Sequence, residues 1–241
     1  MDYLLLLSSI ALGAISVFLF RLYHPRHVKL LNAFTGAYLL CLTLLHLLPE
    51  LYHTPGAATD HHASDLRIGL LILLGFFAQV GLDVISMGVE HGHAHDLHGR
   101  MPVGIVAGLC LHALVEATAL GAPATHHDPA SRQLLLWSIV LHNFPVSIAL
   151  LGMLLQSGMP RSKALGFLAL FAAMAPLGMA ISAHTALAAY TRELMAVVIG
   201  IFMHISTTIL FESSDIHRFN LAKLAAIVVG TGLGILSVML H

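Results

Sequence analysis

The sequence predicts an all-α integral membrane protein: a single-domain bundle of eight transmembrane helices, arranged 3+2+3 with an inverted repeat. Three observations carry this. Of 241 residues, 58% are hydrophobic and only 10% are charged, whereas a water-facing surface takes roughly 25% charged residues. Mean hydropathy is +0.87. The apolar residues gather into eight segments of near-span length, and at ~20 residues per span these consume about 160 residues and leave only short loops.

The segments follow from their punctuation. Asp2 precedes the first run, Tyr3–Leu22, and Arg21, Arg26 and Lys29 follow it. A secretory signal has its positive residues first, so this order predicts a retained first helix. The second segment, Val28–Tyr52, ends in Leu48-Pro49-Glu50 before a polar loop. Arg67–Val89 runs from a basic residue into a histidine-rich stretch, and Pro102–Pro123 is framed by its prolines. Gln133–Ser157 follows Arg132 and stops at Gly158. Lys163–Ala188, Glu193–Glu212 and Asn220–Leu240 complete the set. Gly104-x-x-x-Gly108 and Gly230-x-x-x-Gly234 are small-residue spacings that let helix backbones approach.

Orientation rests on the basic residues. Loops 1–2, 3–4, 5–6 and 7–8 carry Arg21, Arg26, Lys29, Arg100, Arg161, Lys163, Arg218 and Lys223. The other side carries Arg67, Arg132 and Arg192. The positive-inside rule puts the first set in the cytosol and both termini outside. The expected location is the plasma (inner) membrane. With 11 basic and 12 acidic residues and a net charge of −1, no basic patch exists to bind nucleic acid. Cys41 and Cys110 lie within apolar spans and read as small packing residues.

Eighteen histidines outnumber either charge class, and several fall inside the spans. An ionisable group at bilayer depth costs ~2.5–3.5 kcal/mol and usually faces the bundle interior with a partner. In the fourth segment His112 and Glu116 are four apart, one above the other on a helical face. In the fifth, His142-Asn143-Phe144-Pro145 places a second imidazole beside a proline that frees the carbonyl of Leu141. Both histidines sit near mid-bilayer, so two imidazoles and a carboxylate form a ligand set for Zn²⁺ or another divalent first-row ion, with Asn143 as a neutral oxygen donor. His204, mid-span in the seventh segment, is either a further ligand or a structural hydrogen-bonding group.

A second cluster is Glu90-His91-Gly92-His93-Ala94-His95-Asp96-Leu97-His98, within the cytosolic loop 90–100. Histidines alternating with small and acidic residues make a flexible chelator. His61-His62 and His126-His127 are read as loop pairs on the opposite face. Further polar groups step between these sites: His46, Glu50, His53 and His184 near the outer ends, and Gln79, Asp83 and Glu212 near the inner ends. The strings ending in Glu50 and Glu212 lie at opposite faces and are the hint of the inverted repeat relating helices 1–3 to 6–8.

With these residues in place, the chain resembles the ZIP (zinc/iron-regulated transporter-like) metal permeases. Eight helices, both termini outside, a His-rich loop between helices three and four and metal-bearing helices four and five all correspond. The helix-four pattern His-Asn-x-Pro-Glu-Gly is matched at His112 and Glu116, with Ala113, Val115 and Ala117 replacing Asn, Pro and Gly. In helix five His142, Asn143 and Pro145 match, while Val146 and Ser147 replace Glu and Gly. Ala175-Pro176-Leu177-Gly178 resembles the family's Glu-Pro-Leu-Gly without its carboxylate. The resemblance implies carriage of divalent metal, chiefly Zn²⁺, toward the cytosol by a divergent member that is not an enzyme. Fe²⁺, Mn²⁺ and Cd²⁺ are further candidate ions. Membrane lipid is an expected partner, as is a second copy of the chain in a homodimer. The alternatives are a non-transporting metal-binding homologue or sensor, an intramembrane zinc-dependent hydrolase and a haem protein held by His112, His142 and His204. No His-Glu-x-x-His or Gly-x-Ser-x-Gly supports the hydrolase.

Overall fold

A computed structural model describes residues 1–20, 24–52, 61–86, 103–121, 129–212 and 221–240. All regular structure among the described residues is helical. Helix α1 is Asp2–Phe20. Helix α2 is Pro25–Leu42, carried on through a π-turn at Thr43–Leu47 and a last α-helical turn at Leu48–Tyr52. Then come α3 (His61–Ser86), α4 (Val103–Thr118), α5 (Pro129–Gln156) and α6 (Arg161–His184). A 3₁₀ turn, Ala186–Tyr190, leads into α7 (Thr191–Glu212), and α8 is Leu221–Met239. Seven of these helices are long and apolar enough to cross a membrane, and α4, at 16 residues, is the shorter eighth. The protein is a multi-pass membrane protein.

Two boundaries depart from the expected ones by more than four residues. Helix α3 begins at His61, so His61 and His62 lie in its first turn and not in a loop. Hydropathy marks only the part of a helix that meets hydrocarbon, and the helix continues into the polar interface. Helix α4 ends at Thr118, before the predicted Pro123. The chain turns there, with Leu120 N–H donating to the Ala117 carbonyl and Gly121 N–H to that of Thr118. Gly121 is pressed against the Met179 carbonyl of α6, where a Cβ would overlap it. His53, His126, His127 and the loop from Glu90 through His91, His93, His95 and His98 lie outside the described residues.

The helices alternate direction, and the closest pairs are α1 with α5, α2 with α8, α3 with α7 and α4 with α6. Exchanging helices 1–3 with 6–8 and helix 4 with 5 turns the first pair into the fourth and the second into the third. The packing therefore follows the 3+2+3 inverted arrangement. Helices α5, α2 and α7 are mostly buried, whereas α8 and α3 are peripheral. The outward side chains of α3 and α8 (Leu70, Leu73, Phe77, Val228, Leu236) are apolar, as a lipid-facing surface requires.

Glycine sets the tightest approaches. Gly230 and Gly234, the buried residues of α8, lie against Phe34 and against Tyr38 and Cys41 of α2. Gly75 of α3 faces the Val197 carbonyl of α7, while Gly200 of α7 faces the Ile72 carbonyl of α3. A Cβ at any of these meets the partner helix, and at Gly75, Gly200 and Gly230 it meets backbone, which cannot rotate away as a side chain can. Such small-residue contacts are the usual basis of helix association in lipid, where burial of apolar surface drives little.

At one end of the bundle Arg132 donates to Asp2 Oδ2 at 2.7 Å and to the Leu120 carbonyl at 3.1 Å, tying α1, α5 and the turn after α4 together. Arg67 pairs with Glu193 at 3.1 Å, and Arg192 donates to the Leu51 carbonyl at 3.2 Å. All three basic residues assigned to that face are thus engaged locally. Cys41 and Cys110 are buried and unbridged, as packing residues should be.

Gly200→Ala is expected to destabilise the protein by about 1–3 kcal/mol, the usual cost of overpacking. Gly232→Ala, where nothing lies within 4 Å, is expected to leave stability unchanged or slightly higher. Thermal unfolding in detergent followed by circular dichroism measures both, and equal melting temperatures would contradict the packing argument.

Candidate metal centre

Helix α4 carries His112 and Glu116 one turn apart, and both side chains are 0% exposed. His112 Nε2 stands 3.3 Å from Glu116 Oε2. Two donors bound ~2.0–2.1 Å from one tetrahedral ion lie about 3.4 Å apart, so this pair already has the separation of two ligands sharing an ion. Helix α5 brings His142, 1% exposed, across from them. Its ring stands edge-on to that of His112 with centroids 5.7 Å apart. Asn143, also fully buried, adds an amide whose oxygen and nitrogen have no hydrogen-bond partner. Neither Glu116 oxygen has a partner in hydrogen-bond geometry either.

The four residues expected at the centre therefore lie on two neighbouring helices at one depth. Among the described residues, however, no three His, Cys, Asp or Glu side chains stand close enough to hold an ion as they are placed. The arrangement is two pairs that share His112: His112 with Glu116 and His112 with His142. Proline does not break α5 here. The helix runs on through Pro145 from Pro129 to Gln156 and gives up only the one hydrogen bond that proline cannot donate.

Behind His112 lies a polar chain. Its Nδ1 is 3.0 Å from Gln79 Oε1 of α3. Gln79 Nε2 donates to Asp83 Oδ1 at 3.0 Å, one turn along the same helix. Asp83 Oδ2 in turn meets His204 Nε2 of α7 at 2.5 Å. Phe76 packs edge-on against the His204 ring at 5.0 Å, so Phe76, Gln79 and Asp83 form one stripe of α3 at helical spacing. The close approach at the two glycines makes this chain reachable, since Gly75 and Gly200 lie one turn before Gln79 and His204.

The other expected pathway residues are scattered. His46 sits in the π-turn of α2 and is hydrogen-bonded to Ser131 Oγ at 2.9 Å. The turn has a cause in Pro49: proline cannot donate to Leu45 and its ring crowds that carbonyl. Widening the turn, with Leu48 N–H reaching back to the Thr43 carbonyl, relieves the clash. Glu50 is half-buried in the last turn of α2, and His184 is exposed at the end of α6. The Glu212 side chain lies outside the described residues.

Sequence reasoning placed Gln79 near the inner end of its helix and did not join it to the centre. The contact spans 33 residues and two helices, and no periodicity within one helix exposes it. The available signal was a glutamine standing as the one polar side chain between Ile68 and Leu82. Ala113, Val146 and Ala175, which stand where the family pattern has other side chains, are each buried among apolar neighbours.

A family model described as ZIP Zinc transporter matches residues 90–239, more than half of the chain. Among curated proteins the chain is similar to Zinc transporter ZIP9 of Xenopus tropicalis, with 28% identity over 167 residues, covering 63% of this chain and 54% of that protein. It is also similar to Zinc transporter ZIP9-B of Xenopus laevis, with 30% identity over 127 residues, 50% of this chain and 41% of that one. Zinc transporter ZIP9 of Micropogonias undulatus is 26% identical over 166 residues, 63% of this chain and 54% of that one. The chain spans about half the length of the curated relatives it matches. The matched segment includes α4, α5 and the Ala175-Pro176-Leu177-Gly178 run on which the resemblance rests. Transport, and not the hydrolase chemistry weighed above, is what these proteins share, and the chain belongs to the ZIP zinc transporter family.

Proposed function

We propose that the protein carries divalent metal, with Zn²⁺ as the principal ion, across the membrane toward the cytosol through a centre formed by His112, Glu116, His142 and Asn143. The supporting observation is the fully buried Glu116 carboxylate, 3.3 Å from an imidazole nitrogen and without a hydrogen-bond donor. A carboxylate taken from water without donors costs several kcal/mol. A buried polar group left in that state in a native fold calls for a partner such as an ion or water. Nitrogen and oxygen donors without thiolate favour Zn²⁺, Fe²⁺, Mn²⁺ or Cd²⁺ over Cu⁺.

In this reading metal approaches from the face bearing Asp2 and Arg132, past His46, Glu50 and His184. It binds at mid-membrane and leaves past Asp83, His204 and Glu212 toward the His-rich loop of His91, His93, His95 and His98. The direction is the one the family resemblance implies, and the basic residues support an orientation with both termini outside the plasma (inner) membrane. Binding draws His142 toward the His112–Glu116 pair, and the helix pairs then rearrange around α4 and α5 in alternating access. A homodimer is part of the same proposal.

Saturable Zn²⁺ uptake into proteoliposomes of the purified protein tests the centre. Alanine at His112, Glu116 or His142 is expected to abolish it while leaving the detergent melting profile intact, and parent-like uptake in all three variants would remove the assignment.

The pH dependence has a definite sign. Metal must displace protons from His112 and His142, so binding weakens as pH falls through the imidazole range of ~6–7. Equilibrium Zn²⁺ binding that stays flat between about pH 5.5 and 7.5 would argue against histidine ligation.

The centre is expected to hold one ion. Two divalent ions ~3.5–4 Å apart repel strongly in a low-dielectric interior unless several carboxylates offset them. Here Glu116 is the one carboxylate, while Ala113, Val146 and Ala175 supply no donor. Anomalous diffraction at the zinc edge reads the count, and two fully occupied peaks between α4 and α5 would refute it.

A further inference from the structure

We infer that Gln79 is a positioning residue for the metal centre: its side-chain oxygen holds His112 in the Nδ1–H form, so that Nε2 is the nitrogen presented to the ion. The inference rests on the reading of His112 as a ligand and adds a residue outside the ligand set.

The argument runs inward from α7. Asp83 Oδ2 accepts from the Nε2–H of His204 at 2.5 Å, which keeps the carboxylate an acceptor. Its other oxygen lies 3.0 Å from one end of the Gln79 amide. Were the amide reversed, two oxygens would face each other at that distance with no proton between them. The NH₂ group therefore points to Asp83, and the amide oxygen is left for His112. That oxygen can only accept, so the His112 Nδ1 at 3.0 Å must carry the hydrogen. In the neutral ring the lone pair then lies on Nε2, the nitrogen 3.3 Å from Glu116.

The consequence is preorganisation. A metal-binding histidine is typically fixed in tautomer and orientation by a hydrogen bond from its other nitrogen, and losing that partner commonly costs 10–100-fold in affinity. Gln79 is suited to this role because it is itself 0% exposed. The Asp83–His204 pair supplies the asymmetry that a symmetric-looking amide lacks. Two residues on α3 and one on α7 thereby decide which atom α4 offers.

The test uses full-length protein, zinc-free, in detergent micelles and labelled with ¹⁵N-histidine. Long-range ¹H–¹⁵N correlation at about pH 8, where imidazoles are neutral, distinguishes the two tautomers, and His112 is assigned by its absence in His112→Gln. The parent is expected to show the Nδ1–H form, and a parent His112 in the Nε2–H form overturns the inference whatever the variants do. Gln79→Met keeps the size and removes the acceptor. It is expected to give mixed tautomers and a 10–100-fold loss of Zn²⁺ affinity, and parent-like affinity there also overturns it. The charge-conserving swap Gln79→Glu with Asp83→Asn restores an acceptor for His112 and a donor behind it. This double variant is expected to recover the tautomer and bring affinity back to within a few-fold of the parent, and a swap as weak as Gln79→Met refutes the role. If His112→Gln binds Zn²⁺ as the parent does, the central-site reading fails instead, independently of the tautomer result.

Discussion

A carboxylate inside an apolar bundle is the constraint on which the rest of this structure depends. Glu116 is fully enclosed, and no water-facing surface is near enough to solvate it cheaply. At ~2.5–3.5 kcal/mol for an acidic residue at bilayer depth, a leucine at this position would favour insertion and packing. The retained carboxyl group makes sense beside His112 one turn below and His142 on the facing helix. The two apolar clusters around them, one including Ile139 and Phe202 and the other Leu109 and Phe171, hold the polar groups together in a low-dielectric interior.

The bundle achieves this with small residues at its seams. Gly230 and Gly234 let α8 lie on α2, and Gly75 and Gly200 let α3 lie on α7. The second contact does more than pack. By bringing two backbones together one turn before Gln79 and His204, it lets short polar side chains meet across the seam. Helix α3 is peripheral and its outward face is apolar, yet its inner stripe of Phe76, Gln79 and Asp83 reaches both α4 and α7. Packing and chemistry are therefore linked at that seam.

Three departures from the family pattern each replace a polar side chain by an apolar one. Ala113, Val146 and Ala175 are buried apolar residues in continuous packing with their neighbours. Val146 and Ala175 take the place of carboxylates and Ala113 that of a neutral asparagine, so Glu116 is the one acidic side chain of the proposed centre, beside His112, His142 and Asn143. The centre is simplified in charge, with its imidazoles and amide intact.

The sequence alone determined the fold class, the eight segments, the pairing of His112 with Glu116 and their match in depth to His142. Those features follow from hydropathy, from the 3.6-residue period and from the fixed rise of a helix, all local properties of the chain. The π-turn at Thr43–Leu47 was less visible, although Pro49 carries the steric cause. The tertiary structure decided which helices meet and which faces they share. It joined Gln79 to His112 and Asp83 to His204, bound His46 to Ser131 and left His184 exposed. Side-chain partnerships across helices depend on helix rotation and separation. In lipid those are set by close contacts such as Gly75 with Val197 and Gly200 with Ile72, between residues more than a hundred positions apart in the chain.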